Sequence, residues 1–289
     1  MSGRRRSSIS ASGARGARGA GGSLGTRGGK GTSSGAGRRR RGYLAAVGVG
    51  VVAVGVLTSG CGNSADDDTD PEKRSFAFSG RVLTVDSDDS ALELVVGDVD
   101  EVQVTRWFEA DVVFGGNPRV TWAMKGGTLR LRTHCSGVIA DCSAKHRIVV
   151  PRDVALTVKD RDGRVTATGF KDALDIRAGD GSVRVQDVSG PLTLRTADGS
   201  VHATGIGSRR VDVRTQDGSA RLEFASVPDR VSARGQDGSL TIGLPDAAYR
   251  VTTGSEDGSV EVSVPRDEGS SHVVSAHTQD GEVTVRTAN

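Results

Sequence analysis

Aspartate followed by glycine recurs at Asp162, Asp180, Asp198, Asp217, Asp237, Asp257 and Asp280, at intervals of 18, 18, 19, 20, 20 and 23 residues. Carboxylates repeated in this way can do three kinds of chemistry. They can set a tight turn, because Asp bonds its own backbone and Gly tolerates unusual φ. They can line up to hold calcium, although the Gly-Gly-x-Gly-x-Asp repeat of calcium β-rolls is absent. They can act as acid and base on a glycan from neighbouring coils of a β-helix. Three residues before each Asp stand Lys159, Arg177, Arg195, Arg214, Arg234, Gly254 and His277. A cationic column beside turn-setting aspartates is the simplest expectation, since like charges about 4.8 Å apart repel by about 0.9 kcal/mol even in a water-like dielectric.

The remaining candidates for chemistry are few. No Gly-x-Ser-x-Gly elbow, phosphate loop or His-Glu-x-x-His occurs, so no catalytic residue and no cofactor is assigned. The histidines (134, 146, 202, 272 and 277) form no ligand pattern. Cys135 and Cys142 close a small loop, Cys135-Ser136-Gly137-Val138-Ile139-Ala140-Asp141-Cys142, and the expectation is a disulfide worth about 2–3 kcal/mol. His134 and His146 flank the pair, so a zinc site is the competing arrangement, at spacings that match no common closed zinc pattern.

The third cysteine, Cys61, belongs to a different context. Residues 1–42 hold 11 of the 38 Lys+Arg and no acidic residue, while everything from Cys61 onward carries 27 basic against 36 acidic groups. The formal charge of +2 is therefore a sum over two unlike pieces, and it does not indicate a nucleic-acid partner. The Gly/Ser/Ala/Arg stretch 1–42 has too little apolar surface to offset chain entropy and is expected to be disordered. Arg38-Arg39-Arg40-Arg41 then leads into an apolar run from Tyr43 to Leu57. That run would be about 22 Å long as a helix, short of a hydrocarbon core of about 30 Å. With its basic lead and small residues behind, 43–60 is expected to be a signal peptide. Leu57-Thr58-Ser59-Gly60-Cys61-Gly62-Asn63 resembles a bacterial lipobox, with Thr58 where that pattern prefers Leu. The resemblance implies lipid on the Cys61 sulfur and a membrane partner through that lipid. Arg40-Arg41-Gly42-Tyr43-Leu44 resembles a twin-arginine export signal; general secretion remains the other route.

Beyond a tether expected over 61–75, short alternating stretches appear with Gly and Asp between them, and no 3.6-residue period. The region 76–155 is expected to be a β cap whose core is filled by Phe76, Phe78, Trp107, Phe108, Phe114 and Trp122. Over 156–289 the units repeat. Six residues before each Asp stand Leu156, Leu174, Leu192, Val211, Val231, Val251 and Val274, and three after stand Val165, Val183, Val201, Ala220, Leu240, Val260 and Val283. Each unit is two half-buried strands joined at the Asp-Gly turn. Stacked as coils of a β-solenoid, such units would make one elongated core with few aromatics. An antiparallel meander with Asp-Gly hairpins is the alternative.

Arg195-Thr196-Ala197-Asp198-Gly199-Ser200-Val201 and Arg214-Thr215-Gln216-Asp217-Gly218-Ser219 are copies of one signature. In this the sequence resembles, over about 80–289, a bacterial family of β-strand-repeat proteins of unknown function, the adhesin-like or toast-rack domains. The resemblance implies a β-helical fold outside the cytoplasm, in some members attached to envelope-stress signalling, and it carries no catalytic residue across. The expectation is an all-β, lipid-anchored, non-enzymatic binding or structural module of the cell envelope. Its partner would be an envelope protein or glycan. A component of envelope-stress sensing and a polysaccharide-active β-helix enzyme are the alternatives.

Overall fold

Alternating apolar residues commit each short stretch to a strand with one buried face. The computed structural model describes residues 64–113, 115–138 and 140–288. Arg40, Arg41, Cys61 and the segments 1–42 and 43–60 lie outside the described residues. After a 3-10 turn at Ala65–Asp67 come β1 (Glu72–Phe76), β2 (Val82–Ser87), β3 (Ala91–Gly97), β4 (Val102–Val112), β5 (Arg119–Lys125), β6 (Thr128–His134) and β7 (Ala140–Pro151). The repeats follow as β8 (Ala155–Asp160), β9 (Val165–Thr168), β10 (Leu174–Ala178), β11 (Val183–Gln186), β12 (Leu192–Asp198), β13 (Val201–Ile206) and β14 (Arg210–Asp217). The last seven are β15 (Ala220–Phe224), β16 (Arg230–Arg234), β17 (Leu240–Leu244), β18 (Arg250–Asp257), β19 (Val260–Val262), β20 (Val273–Asp280) and β21 (Val283–Thr287). No helix among the described residues is long and apolar enough to cross a membrane.

The strands form two sheets of 11 and 10 strands, and the two strands joined at each Asp-Gly turn lie in different sheets. Like strands pair in parallel: Leu192 lies beside Leu174 and Val211, and Val201 beside Val183 and Ala220. The fold is therefore a β-solenoid of stacked coils, and the hairpins of a meander are absent from the repeats. Core side chains come from both sheets. Leu194, Val213, Ala203 and Leu222 are wholly buried, each contributing on the order of 1–3 kcal/mol. The repeats need only Phe170, Phe224 and Tyr249 as aromatic filling.

The stack does not follow chain order at its ends. Coil β20/β21 lies between β16/β17 and β18/β19, so the last coil made is an interior one. The stack also begins earlier than residue 156. Leu83 and Val85 of β2 pair with Leu156 and Val158, and Leu92 and Leu94 of β3 with Val165 and Ala167. Coil β6/β7 packs beyond β2/β3. The region 76–155 is thus two coils plus a true cap, made by β4 and β1 antiparallel on one sheet and β5 antiparallel on the other. Phe76 is buried there, edge-on to Trp122 at 6.3 Å, with Phe78 and Trp122 packed at the margin. Phe114 lies outside the described residues.

The free tether expected over 61–75 is also corrected. Ser64 caps the 3-10 turn, and Ala65 is buried with its amide donating to Ser143 Oγ at 3.0 Å. The Asp68 carboxylate accepts from the Phe108 amide at 3.0 Å, and residues 72–76 are strand β1. An acid-rich segment that reads as solvated is held by backbone donors on β4 and by Ser143 and Lys145 of β7.

Candidate functional site

The turn that joins the two strands of a coil is shaped by its glycine. Five of the seven Gly amides donate to the carbonyl of the Asp one coil further on, among them Gly199 to Asp217 at 3.2 Å, Gly218 to Asp237 at 2.9 Å and Gly238 to Asp280 at 2.9 Å. Successive turns come so close that a Cβ on Gly199 would sit 1.9 Å from the Gly181 carbonyl oxygen, and one on Gly218 2.1 Å from that of Gly199. Gly199 is not in the left-handed region, so the requirement here is space. In the β2/β3 coil the same place is taken by Asp89-Ser90, which the Asp-Gly spacing missed; Asp162 bonds to the Asp88 carbonyl and Gly163 abuts that of Ser90.

The seven turn aspartates form the expected column, in the spatial order Asp162, Asp180, Asp198, Asp217, Asp237, Asp280 and Asp257. All are exposed. At the head of the column, burial and the neighbouring Asp162 carboxylate push the Asp89 pKa above its usual value. Among the described residues no three His, Cys, Asp or Glu side chains converge as a metal site.

The cations also form a column: Lys159, Arg177, Arg195, Arg214, Arg234 and His277 are neighbours in register, with Gly254 last. Their expected partners need correcting. Arg177 pairs with Asp175 at 3.2 Å, Arg195 with Asp175 at 3.5 Å and Asp212 at 3.8 Å, and Arg214 with Asp212 at 3.5 Å. Arg234 donates to Ser232 Oγ at 3.0 Å. None of these contacts reaches a turn aspartate. Asp175 and Asp212, two residues before Arg177 and Arg214, take that role, since side chains i and i+2 share a face of a strand, and Arg195 reaches both from the strand between them. A groove of about 570 Å³ runs along the column, walled by the arginines and by Gln216, Gln236 and Gln279.

Among the described residues one carboxylate faces inward. Asp160 continues the buried row Leu156, Val158, Asp160, beside Ala178 of the next coil. It is 7% exposed, and burial pushes its pKa up to about 7. The Ser87 hydroxyl and Gly163 amide oppose that rise, but weakly, because neither carboxylate oxygen completes a hydrogen bond. The equivalent Thr196 and Thr215 are buried too. The signal for Asp160 was its parity in the strand.

Cys135 and Cys142 are joined by a disulfide, S–S 2.02 Å, at the β6–β7 turn where other coils have Asp-Gly. That bond removes the thiolates a zinc site would need. His134 is exposed, whereas His146 is wholly buried near Trp122 and Arg106. Burial, and then the Arg106 guanidinium, lower the His146 pKa to about 4. It is a neutral core residue. Arg106 is itself held by Glu72 at 2.6 Å and by the Val120 carbonyl, and lies over the Trp122 ring.

A two-sheet solenoid with a stacked Asp-Gly turn and an outward arginine ladder defines a class of β-repeat protein. The chain belongs to the Toastrack DUF4097 family, whose model matches residues 120–289. No curated protein matches it. Among solved structures it is similar to a putative adhesin from Bacteroides fragilis, 13% identical over 76% of this chain and 98% of that one, with a TM-score of 0.45. It is also similar to a putative cell adhesion protein from Clostridium sporogenes, 9% identical over 76% of this chain and all of that one, with a TM-score of 0.33.

Proposed function

We propose that the protein is an extracytoplasmic lipoprotein, held in the membrane by lipid on Cys61, whose solenoid is a non-enzymatic binding or structural module of the cell envelope. The observation that carries this reading is the capped turn Ala65–Asp67 packed on β7. Ser64 already caps a turn packed on β7, so cleavage before Cys61 would leave an anchor joined almost directly to a folded body. Three residues span at most about 10 Å, which would hold the cap end of the stack near the bilayer. The disulfide supports an oxidising compartment. The binding role is preferred to glycan cleavage because the turn carboxylates are ranged in one exposed row along a corner of the stack, where no two of them face each other across a bound sugar.

Mass spectrometry of the membrane fraction tests the reading. The expected N-terminal peptide begins at an acylated Cys61, with residues 1–60 gone, and Cys61→Ala releases the protein with its fold intact. An intact N-terminus on the mature protein would contradict it.

A further inference from the structure

The body of the protein is acidic, with 36 acidic and 27 basic residues from Cys61 onward. Its outer sheet face is not. Lys159, Arg177, Arg195, Arg214 and Arg234 occupy five successive strands in register, a row about 19 Å long at the spacing of paired strands. Arg210, Arg230 and Arg250 lie exposed at the starts of strands in the same sheet. Against the row stand three carboxylates: Asp175 and Asp212, shared among three arginines at 3.2–3.8 Å, and Asp86, in register beside Lys159 and itself paired with Arg132. These are loose pairs, and the side chains of Arg177 and Arg214 stay half-exposed. The row therefore keeps both net positive charge and free donors. Such segregation on an acidic body attracts an anion to one place.

We propose that this ladder is a binding site for a linear, phosphate-bearing polymer lying along the stack. The groove crosses several coils, so its occupant is elongated; a small anion would meet one or two guanidiniums. Four of the five cations are arginine, whose planar fork grips two oxygens of a phosphate group at once. Gln216, Gln236 and Gln279, two residues beyond Arg214, Arg234 and His277 and on the same face, add amide donors beside the row. The exposed turn aspartates bound the groove at the corner. They would repel a flat anionic bilayer pressed on this face, while a narrow chain can follow the arginines and avoid them. The proposal deepens, and rests on, the reading of the protein as a binding module of the envelope.

The test uses the protein recovered from membranes in detergent and a labelled poly(glycerol phosphate) chain, with anionic phospholipid vesicles as a second arm. Arg195→Gln/Arg214→Gln should weaken polymer binding at least about tenfold. Arg184→Gln/Arg221→Gln, an equal charge change on the exposed face of the other sheet, should leave it within about twofold. Wild-type affinity should fall steeply between ~50 and ~200 mM salt. Absence of polymer binding, or equal losses in the two double variants, would overturn the site. Vesicle binding that depends on the ladder while polymer binding does not would overturn the ligand. Ladder-dependent binding by a protein that proves cytoplasmic would remove the location reading and leave the site standing; an envelope lipoprotein that ignores the polymer would do the reverse.

Discussion

From β8 to β17 each coil stacks on the one before it in sequence, whereas at both ends the chain steps past a place and fills it later. The two arrangements solve different problems. In the middle every strand has like neighbours on both sides, and local order is enough. An end strand exposes a row of unpaired backbone groups, which invites pairing with another chain. At the first end that edge is covered by antiparallel strands. At the other end the coils are sorted by quality. Val274, Ala276, Val283 and Val285, all wholly buried, form the interior coil, while Val251, Thr253, Val260 and Val262 face the open end. Val260 is 44% exposed. The weaker coil is placed where burial is incomplete, while the inserted coil is tied to its neighbour beyond β21 by the Ala288 amide on the Leu244 carbonyl at 2.7 Å.

The sharpest way to break this contrast is at the turn glycines. Gly199 and Gly258 meet the same obstacle: a Cβ added at either would sit 1.9 Å from the carbonyl oxygen of a neighbouring turn. Gly199 has coils on both sides, so Gly199→Ala should cost about 3 kcal/mol. Gly258 belongs to the open end, where the coil can shift, and Gly258→Ala should cost about 1 kcal/mol or less. Equal losses in urea unfolding would mean that the end coil is as confined as the middle.

A comparable effect concerns two buried groups that titrate in opposite senses. Asp160 has its pKa raised to about 7 in the fold, so its favourable contribution is complete below the unfolded value of 3.8 and is lost as pH rises through about 7. His146 has its pKa lowered from 6.5 to about 4, so its contribution is present above 6.5 and is lost as pH falls through about 4. The two slopes oppose each other in one window. Asp160→Thr, which installs the side chain found at Thr196 and Thr215, should stabilise by about 3–4 kcal/mol at pH 8 and by little at pH 4. It should also unmask a rise in stability from pH 4 to 6.5 due to His146. An unchanged pH profile would mean that Asp160 is not held neutral by burial.

The smallest effect is on the ladder. Arg195→Glu places a third carboxylate between Asp175 and Asp212 and removes two ion pairs. On a half-exposed face this should cost about 1 kcal/mol at low salt and fade as salt rises. Unchanged stability at low salt would mean that the arginines are not stacked in register.

The regular part of this molecule was legible because its inward positions repeat with the same parity, from Leu156 and Leu174 to Val211 and Val231. The Asp-Gly pair marked the turn, but its physical cause was hidden: Gly199 is needed by the coil below it, which a turn considered alone does not contain. The β2/β3 coil lacks the Asp-Gly mark because Ser90 replaces the glycine. Asp175 and Asp212 sit in positions that elsewhere hold Thr193 and Ser232, so the ladder's true counter-charges had no repeat to announce them. Coil order was the hardest to read, since Val231 accepts Val251 or Val274 equally well. Thr253 and Gly254 were the available hints that their coil is the poorer one. The long connection 263–272 is what lets the chain return to the place left open.

Cross-linking across the inserted coil tests the stacked arrangement most directly. In a Cys61→Ala background, Ser232→Cys paired with Ser275→Cys, and Ser275→Cys paired with Thr252→Cys, put thiols on strands that are neighbours in register. At about 4.8 Å between paired strands, both are within disulfide reach. Ser232→Cys paired with Thr252→Cys lies two strands apart, about 10 Å, and is out of reach. Mild oxidation should cross-link the first two pairs and leave the third reduced. A cross-link in the third pair, with none in the first, would show that the coils stack in chain order and contradict the account.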